Sequence, residues 1–324
     1  MYRIYGNDLS YFTRKLEAAF RFYGTDFALV DKRTGGRAEE IEQRAGTHQV
    51  PVLHTPENWM IADSTPLMQL MDSRLPKRRM FPAGPPGILV QVVEEYFDEW
   101  IARTMVHYRW HYEESAGTAA LRITGGDEQA ARQVAQWGRR ACRATGTESE
   151  RQQEAAEAEY QRLLEAMEKQ LGETRFLLGD RPTAVDCIVL GGLRAHTNND
   201  PDPKKLVARF PRVVRWAESE ADRDEPWGEL APFPDSTPFA RTVLGEMSAT
   251  YRPFVLGNRG ARENGDKAFR ADIHGESVSY LARSYPECSR QMIVDRIRCQ
   301  LDDAARRKVN AWLASVGLED CFGS

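Results

Sequence analysis

The sequence predicts an α+β protein: a βαβ unit joined to a β-hairpin and helix, followed by an all-helical region. Three observations lead there. Strand-like apolar runs are confined to the chain up to Ile61, a Pro- and Lys/Arg-rich stretch from Pro76 to Pro86 breaks the pattern, and long Ala-, Glu-, Gln- and Arg-rich segments take over from Ile88.

Tyr2 to Tyr5 reads as the first strand. Ser10 to Tyr23 carries Leu16, Ala19, Phe20 and Tyr23 at helical spacing, and Gly24 stops it. Phe27 to Val30 is the second strand, and Arg37 to Ala45 a polar helix ended by Gly46. Val52-Leu53 and Trp59 to Ile61 are short strands, and Ser64 to Asp72 is a helix whose early Pro66 fits a first turn that needs no donor. This order, with a proline leading into the hairpin, is that of a thioredoxin-like domain, assigned to residues 1–80.

The helical domain, residues 87–231, takes in Ile88 to Glu114, Asp127 to Thr145, Glu148 to Leu171, Thr183 to His196 and Phe210 to Asp222. Thr183 with Asp186 three residues later forms a capping pair ahead of the apolar run Cys187 to Leu193, a folding signal rather than a catalytic one. Residues 232–324 read as an extra helical segment, with helices at Pro238 to Thr250, Ala271 to Arg283 and Cys288 to Val316 and a loop at Gly257 to Asp266. Its apolar positions, among them Phe239, Met247, Tyr251, Phe254 and Tyr280, require burial, either as a lid over a cleft or against the back of the helical domain.

A chain of 324 residues with 41% hydrophobic and 28% charged residues has material for two cores. The formal net charge of -4 supplies no global basic field, which argues against nucleic acid as a partner. The absence of a membrane-length apolar run argues against a membrane protein, and a start without a signal-type core gives a cytoplasmic location as the default. Five widely spread cysteines, with no C-x-x-C pair and no zinc-like set, read as free thiols, and no metal is expected.

Four short motifs stand in order: L-S-Y-F-T-R-K at Leu9 to Lys15, Q-V-P-V-L at Gln49 to Leu53, A-D-S-T at Ala62 to Thr65 and F-L-L-G-D-R-P-T-A-V-D at Phe176 to Asp186. Together they resemble the cytosolic glutathione transferase superfamily over roughly residues 1–230, and most closely its serine-type classes. The resemblance implies glutathione as co-substrate, a homodimer, and Ser10 as the group that activates the thiol. It also implies that the Val50 backbone pairs with the cysteinyl part across the Val50-Pro51 turn. Asp63 then faces the γ-glutamyl ammonium, Ser64 binds the γ-glutamyl carboxylate, and Gln49, with His48 as a weaker contributor, lies near the glycyl carboxylate.

The chemistry of Ser10 stands beside that resemblance. A free thiol with pKa near 8.5 is mostly protonated at neutral pH, so the site must stabilise sulfur's negative charge, and a hydroxyl at a helix N-terminus can donate to it. Ser10 as a plain helix cap is the alternative, and the two roles are compatible. Tyr11 ranks next and Tyr5 after it as rival hydroxyl donors, with Arg14 as an electrostatic helper. Ser10 and Thr13 occupy the places of the two cysteines of a redox pair, which disfavours disulfide chemistry.

For a second substrate, a small hydrophobic electrophile or a peroxide, Trp100, Thr104, His107, Tyr108 and His111 share one face of the first long helix, with Tyr96 a turn earlier. They form an aromatic wall or plain interhelical packing. His107 and His111 have the spacing of a metal pair but lack an accompanying glutamate and third ligand. Two functional classes follow: a glutathione transferase, or a non-catalytic glutathione- or ligand-binding protein of the same fold.

Overall fold

Ile4 pairs with Leu29 on one side and Leu53 on the other, at the middle of a four-stranded sheet. The computed structural model describes residues 1–33, 36–219 and 226–323. Strands β1 (Tyr2–Gly6), β2 (Phe27–Asp31), β3 (Val52–His54) and β4 (Met60–Ala62) are ordered β2-β1-β3-β4, with β1 and β2 parallel and the other pairs antiparallel. Helices α1 (Tyr11–Tyr23), α2 (Ala38–Ala45) and α3 (Ser64–Arg74) complete the thioredoxin-like unit.

Helix α1 forms because its caps and its apolar stripe agree. Ser10 Oγ accepts from the Thr13 amide at 3.2 Å, Gly24 turns the chain at φ 66°, and Leu16, Ala19 and Phe20 are buried. The helix lies against α9 (Ala184–Gly192), where a Cβ on Gly191 would stand 2.8 Å from both Tyr11 O and Lys15 N. Only glycine lets the two backbones approach this closely.

The helical region starts with α4 (Gly84–Glu95), a π-helical turn at Tyr96–Ile101 and α5 (Ala102–Trp110), which run on as one helix. It continues with α6 (Glu113–Ile123), α7 (Glu128–Ala144) and α8 (Glu150–Gln170), the last two capped by Asp127 and Ser149. After α9 come a second π-helical turn at Leu193–Thr197, α10 (Pro201–Val207) and α11 (Pro211–Glu218). The expected end of that last helix, Asp222, lies outside the described residues. The Thr183–Asp186 capping pair is formed: the buried Asp186 carboxylate accepts from Thr183 N at 2.8 Å and Leu177 N at 2.9 Å.

The C-terminal segment departs from its expected elements in three places. Residues read as a loop continue α13 (Tyr251–Asn264), which follows α12 (Pro238–Ala249). Gly257, the start of the expected loop, lies inside this helix, where the Phe269 ring would stand 2.6 Å from any Cβ, so the glycine makes room for packing. The expected helix Ala271 to Arg283 is instead a hairpin, β5 (Ala268–Ile273) and β6 (Glu276–Leu281). Ala271 and Ile273, then Val278 and Tyr280, alternate at period two, and the intervening His274 and Gly275 both take positive φ, 53° and 72°, as a tight hairpin turn requires. The expected long helix Cys288 to Val316 divides into α14 (Ser284–Gln300) and α15 (Asp303–Ser315), because Asp302 caps the second by accepting from Ala305 N; α16 (Glu319–Phe322) ends the chain.

This segment packs on the back and also reaches the front. Arg296 of α14 donates to Pro82 O at 2.6 Å and Gln91 Oε1 at 3.1 Å, against α4. The hairpin is stapled to the start of α8 by Gln152 Nε2 on Ile273 O, Ser149 Oγ on Glu276 and Arg151 Nε on His274 O. The apolar positions of the tail are thus buried against α4 and α8. Among the described residues, no helix is long and apolar enough to cross a membrane.

Candidate functional site

A cavity of about 250 Å³ opens where the thioredoxin-like sheet meets the helical region. Its near wall comes from the turn into β3 and the start of α3: Gln49, Val50, Pro51, Asp63 and Ser64 all line it. Val50 and Pro51 are joined by a cis peptide bond. Asp63 precedes α3 at φ 71°, a conformation rare for non-glycine residues and common at functional sites. Its surface reaches solvent, but the surrounding cavity removes enough water to raise its carboxyl, an effect that Lys15 opposes.

Ser10 sits at the N-terminus of α1, partly buried, with its Oγ accepting from Thr13 N and, among the described residues, no acceptor for its hydroxyl hydrogen. The loop before it is fixed: Asn7 Oδ1 accepts from Leu9 N at 3.1 Å, and the buried Arg109 donates to Leu9 O at 2.7 Å while pairing with Asp200. Phe12 lines the cavity; Ser10 caps the helix two residues earlier and is not among the lining residues. Tyr11 does not fit the activating role. Its ring is buried, its hydroxyl donates inward to Phe97 O at 3.1 Å, and burial raises its pKa well above the ordinary value, which opposes ionisation.

The far wall is built from the π-helical turn, α5 and the C-terminal segment: Asp98, Glu99, Trp100, Arg103 and Val106, then Phe254, Tyr280 and Arg283. Of the expected electrophile-binding face, Trp100 is here. Thr104, His107 and Tyr108 are buried away from the cavity, His107 bonding Glu157 at 2.7 Å and Tyr108 packing on Tyr160, and the exposed His111 stacks on His107. The lining face of α5 is carried by Ala102, Arg103 and Val106, about one residue out of phase with the expected stripe. Spacing says which side chains share a face, not which face looks into a cleft. The π-helical turn, a local widening common at functional sites, lies at the join.

The aromatic wall exists, but its partners come from the C-terminal segment. Trp100 contacts Phe254 at 5.4 Å and Tyr280 at 6.3 Å between ring centres, and Phe254 meets Tyr280 edge-on at 5.3 Å. The hairpin thus forms part of the cavity as well as packing on α8.

Behind the cavity lies a buried charge cluster. Lys15 of α1 donates to Thr65 Oγ1 and to Asp98 Oδ1, each at 2.7 Å, and contacts the Glu94 carboxylate. Burial disfavours its charge, but Asp98 and Glu94 outweigh that and hold the ammonium well above the ordinary lysine value. Burial pulls Glu94 up to about 7 against the pull of Lys15. Burial likewise raises Glu99 to about 8, with Asp98 and Asp63 adding to the shift and Arg283 opposing it. Lys15 had a readable signal: a charge between Tyr11 and Ala19 on the apolar stripe of α1 must find partners inside. Asp98, Glu99, Arg103 and Arg283 carried no comparable signal, because the pairing that defines them is non-local.

The chain matches two family models: glutathione S-transferase, N-terminal domain, over residues 4–79, and glutathione S-transferase, C-terminal domain, over residues 118–224. Comparison with curated protein sequences finds no match. Among solved structures, a glutathione S-transferase from Rhodospirillum rubrum F11 is similar at 19% identity and TM-score 0.47, over 75% of this chain and 92% of that one. One from Methylobacterium radiotolerans, in complex with glutathione sulfonate, is similar at 19% identity and TM-score 0.44, over 71% and 97%. Glutathione transferase F2 from Populus trichocarpa stands at 17% identity and TM-score 0.42, over 69% and 94%. The two matched models fall on the two halves of the architecture in the right order and together take in more than half of the sequence, so the chain belongs to the glutathione S-transferase superfamily.

Proposed function

We propose that the cavity binds glutathione along its near wall and that the protein uses the bound thiolate against a small electrophile. One observation carries this reading: Val50, Asp63 and Ser64, distant enough in sequence to belong to different elements, converge on one wall of the same cavity. An extended tripeptide pairs with the Val50 backbone as an added strand, and its γ-glutamyl carboxylate meets the amides at the start of α3. The γ-glutamyl ammonium meets Asp63. Gln49, exposed at the rim, is left for the glycyl end.

Ser10 is the proposed activating group. On binding, the thiol proton leaves to solvent and the Ser10 hydroxyl donates to the sulfur, aided by the positive end of α1. The sulfur then attacks an electrophilic carbon: a C–S bond forms as the bond to the leaving group breaks, and the leaving group departs with the electron pair.

A titration of the ultraviolet thiolate absorbance of bound glutathione tests this. Ser10→Ala should raise the apparent thiol pKa and lower kcat roughly a hundredfold, the usual effect of removing one placed donor, with glutathione affinity little changed. Unchanged ionisation in the variant removes Ser10 from the role. The second reading, a binding protein without turnover, draws on the position of Ser10, engaged as a cap beside the lining residues. Tight glutathione binding by calorimetry with no product across an electrophile panel would favour it.

A further inference from the structure

A separate cavity of about 260 Å³ lies where the second half of α3, the linker after it and α14 meet, and it shares no lining residue with the first. Two arginines line it. Arg296 of α14 is only 9% exposed, and its guanidinium is answered by neutral oxygens: Pro82 O at 2.6 Å, Gln91 Oε1 at 3.1 Å and Gly87 O at 3.3 Å. Its Nε has no partner among the described residues and is not sealed from solvent. Gly87 makes room for the group, since a Cβ there would stand 2.5 Å from Arg296 Nη2.

Asp72, the one carboxylate among the described lining residues, attracts Arg296 without forming an ion pair with it. It is 5% exposed and spent on other donors, the Tyr23 hydroxyl at 2.6 Å and the amides of Met80 and Phe81 at 2.8 Å. Arg79, across the linker, accepts from Arg181 through its carbonyl, but its guanidinium has no partner among the described residues. Burial pulls the Arg296 guanidinium down to about 10, with Asp72 opposing the fall and Arg79 adding to it. Buried charges are normally paired, and a cation that is held by carbonyls beside a second cation lacks its anion.

We propose that this cavity is an anion site, which takes a phosphate group, free or carried by a small polar molecule, between Arg79 and the open edge of Arg296. Two guanidiniums against one engaged carboxylate leave the cavity positive, and a phosphate has enough acceptor oxygens to serve both arginines. The start of α4, at Ala83 and Gly84, lies on the same cavity without a side-chain cap, so the positive end of that helix adds to the field. Gln69, Ser73 and Gln300 complete the walls with neutral polar groups suited to the hydroxyls of an attached body. Because α3 belongs to the thioredoxin-like unit and α14 to the C-terminal segment, the bound anion ties the two together across the linker.

The test is calorimetric titration of the intact protein with inorganic phosphate, glycerol 3-phosphate and glycerol, at an ionic strength held constant with sodium chloride, with and without saturating glutathione. Both phosphates should bind, glycerol should not, and glutathione should leave their affinity unchanged. Arg79→Met should weaken both phosphates roughly tenfold, and Arg296→Lys, which keeps the charge but loses the planar fork, should weaken them several-fold. Arg79, only partly buried, serves if Arg296→Lys fails to fold. Arg259→Met, at an exposed position of α13 away from the cavity, should leave binding as it is. Saturating phosphate should also raise the thermal midpoint of the wild type and not that of Arg79→Met. Glycerol 3-phosphate binding roughly threefold more tightly than phosphate would identify an ester as the occupant and equal affinity the free ion, and either supports the site. No binding of either phosphate, unchanged affinity in Arg79→Met, an equal loss in Arg259→Met, or displacement by glutathione would each overturn the proposal.

Discussion

The two walls of the cavity are made in opposite ways. The near wall comes from short stretches, Gln49 to Pro51 and Asp63-Ser64, on adjoining strand and helix ends of one small domain. The far wall gathers the π-helical turn, α5, α13 and the hairpin, whose contributions lie far apart in the chain. A wall of turn residues and helix-end amides depends on local backbone geometry, so its outline can be read from local sequence. A wall of side chains from remote elements depends on packing, which no local pattern states. Lys15 joins the two, holding Thr65 beside the near wall and Asp98 on the far one.

The largest expected effect is therefore at that joint. Lys15→Met leaves Glu94 and Asp98 facing each other without a cation in a dry site, and removing one partner of a buried ion pair costs about 3–5 kcal/mol. Urea denaturation should show a loss of that size, with both glutathione and second-ligand binding impaired. A variant as stable as the wild type would mean that the cluster is only incidental to the junction.

Asp63→Asn separates the walls. Losing a charge-assisted contact should weaken glutathione by about 1.5–3 kcal/mol while second-ligand affinity stays level. Calorimetry checks both, and a parallel loss of both ligands would show that the walls do not act separately. Gly191→Ala tests the seam beneath them, where the new methyl meets the α1 backbone at 2.8 Å. Overpacking of this kind should cost about 1–3 kcal/mol in a denaturation experiment. No loss would show that α1 and α9 can part without consequence.

The same division explains what the sequence could tell. The strands, α1 with its Ser10 cap and Gly24 stop, the Thr183–Asp186 cap and helices α4, α5, α7, α8, α9 and α11 follow from signals within a few residues, whereas α6 and α10 fall outside the expected helices and the first long helix stops at Trp110, short of the expected Glu114. The hairpin was missed because Ala271 to Arg283 is polar enough to pass for a helix, and its alternation runs only a few residues on each strand before His274-Gly275 reverses the chain. Thr104, His107, Tyr108 and His111 share a face as their spacing implies; that this face turns toward α8 is set by tertiary packing. Tyr11 looked available beside Ser10, but the same apolar periodicity that makes α1 a helix carries its ring inward. Arg103 and Glu99 are unremarkable in sequence and acquire their character only from Trp100, Glu159 and Arg283.

The smallest effect concerns the far wall alone and has a definite sign. Glu99 has an ordinary carboxyl value of 4.5 when unfolded and about 8 in the folded protein, raised by burial and by Asp98 and Asp63. Between those two values the folded chain keeps a proton that the unfolded chain has released, so this group makes stability fall as pH rises through the window. Glu94, raised by burial to about 7, acts in the same direction over the lower part of it. Glu99→Gln reproduces the protonated form at every pH. It should match the wild type below 4.5 and exceed it above about 8, by on the order of 1–2 kcal/mol, because an ionised Glu99 relaxes toward the cavity that it lines. Urea midpoints across this range would show the wild-type decline flattened in the variant, with a residual slope below about 7 that belongs to Glu94. A variant that declines in parallel with the wild type would mean that Glu99 is already ionised at neutral pH. The far wall would then be one negative charge richer at neutral pH.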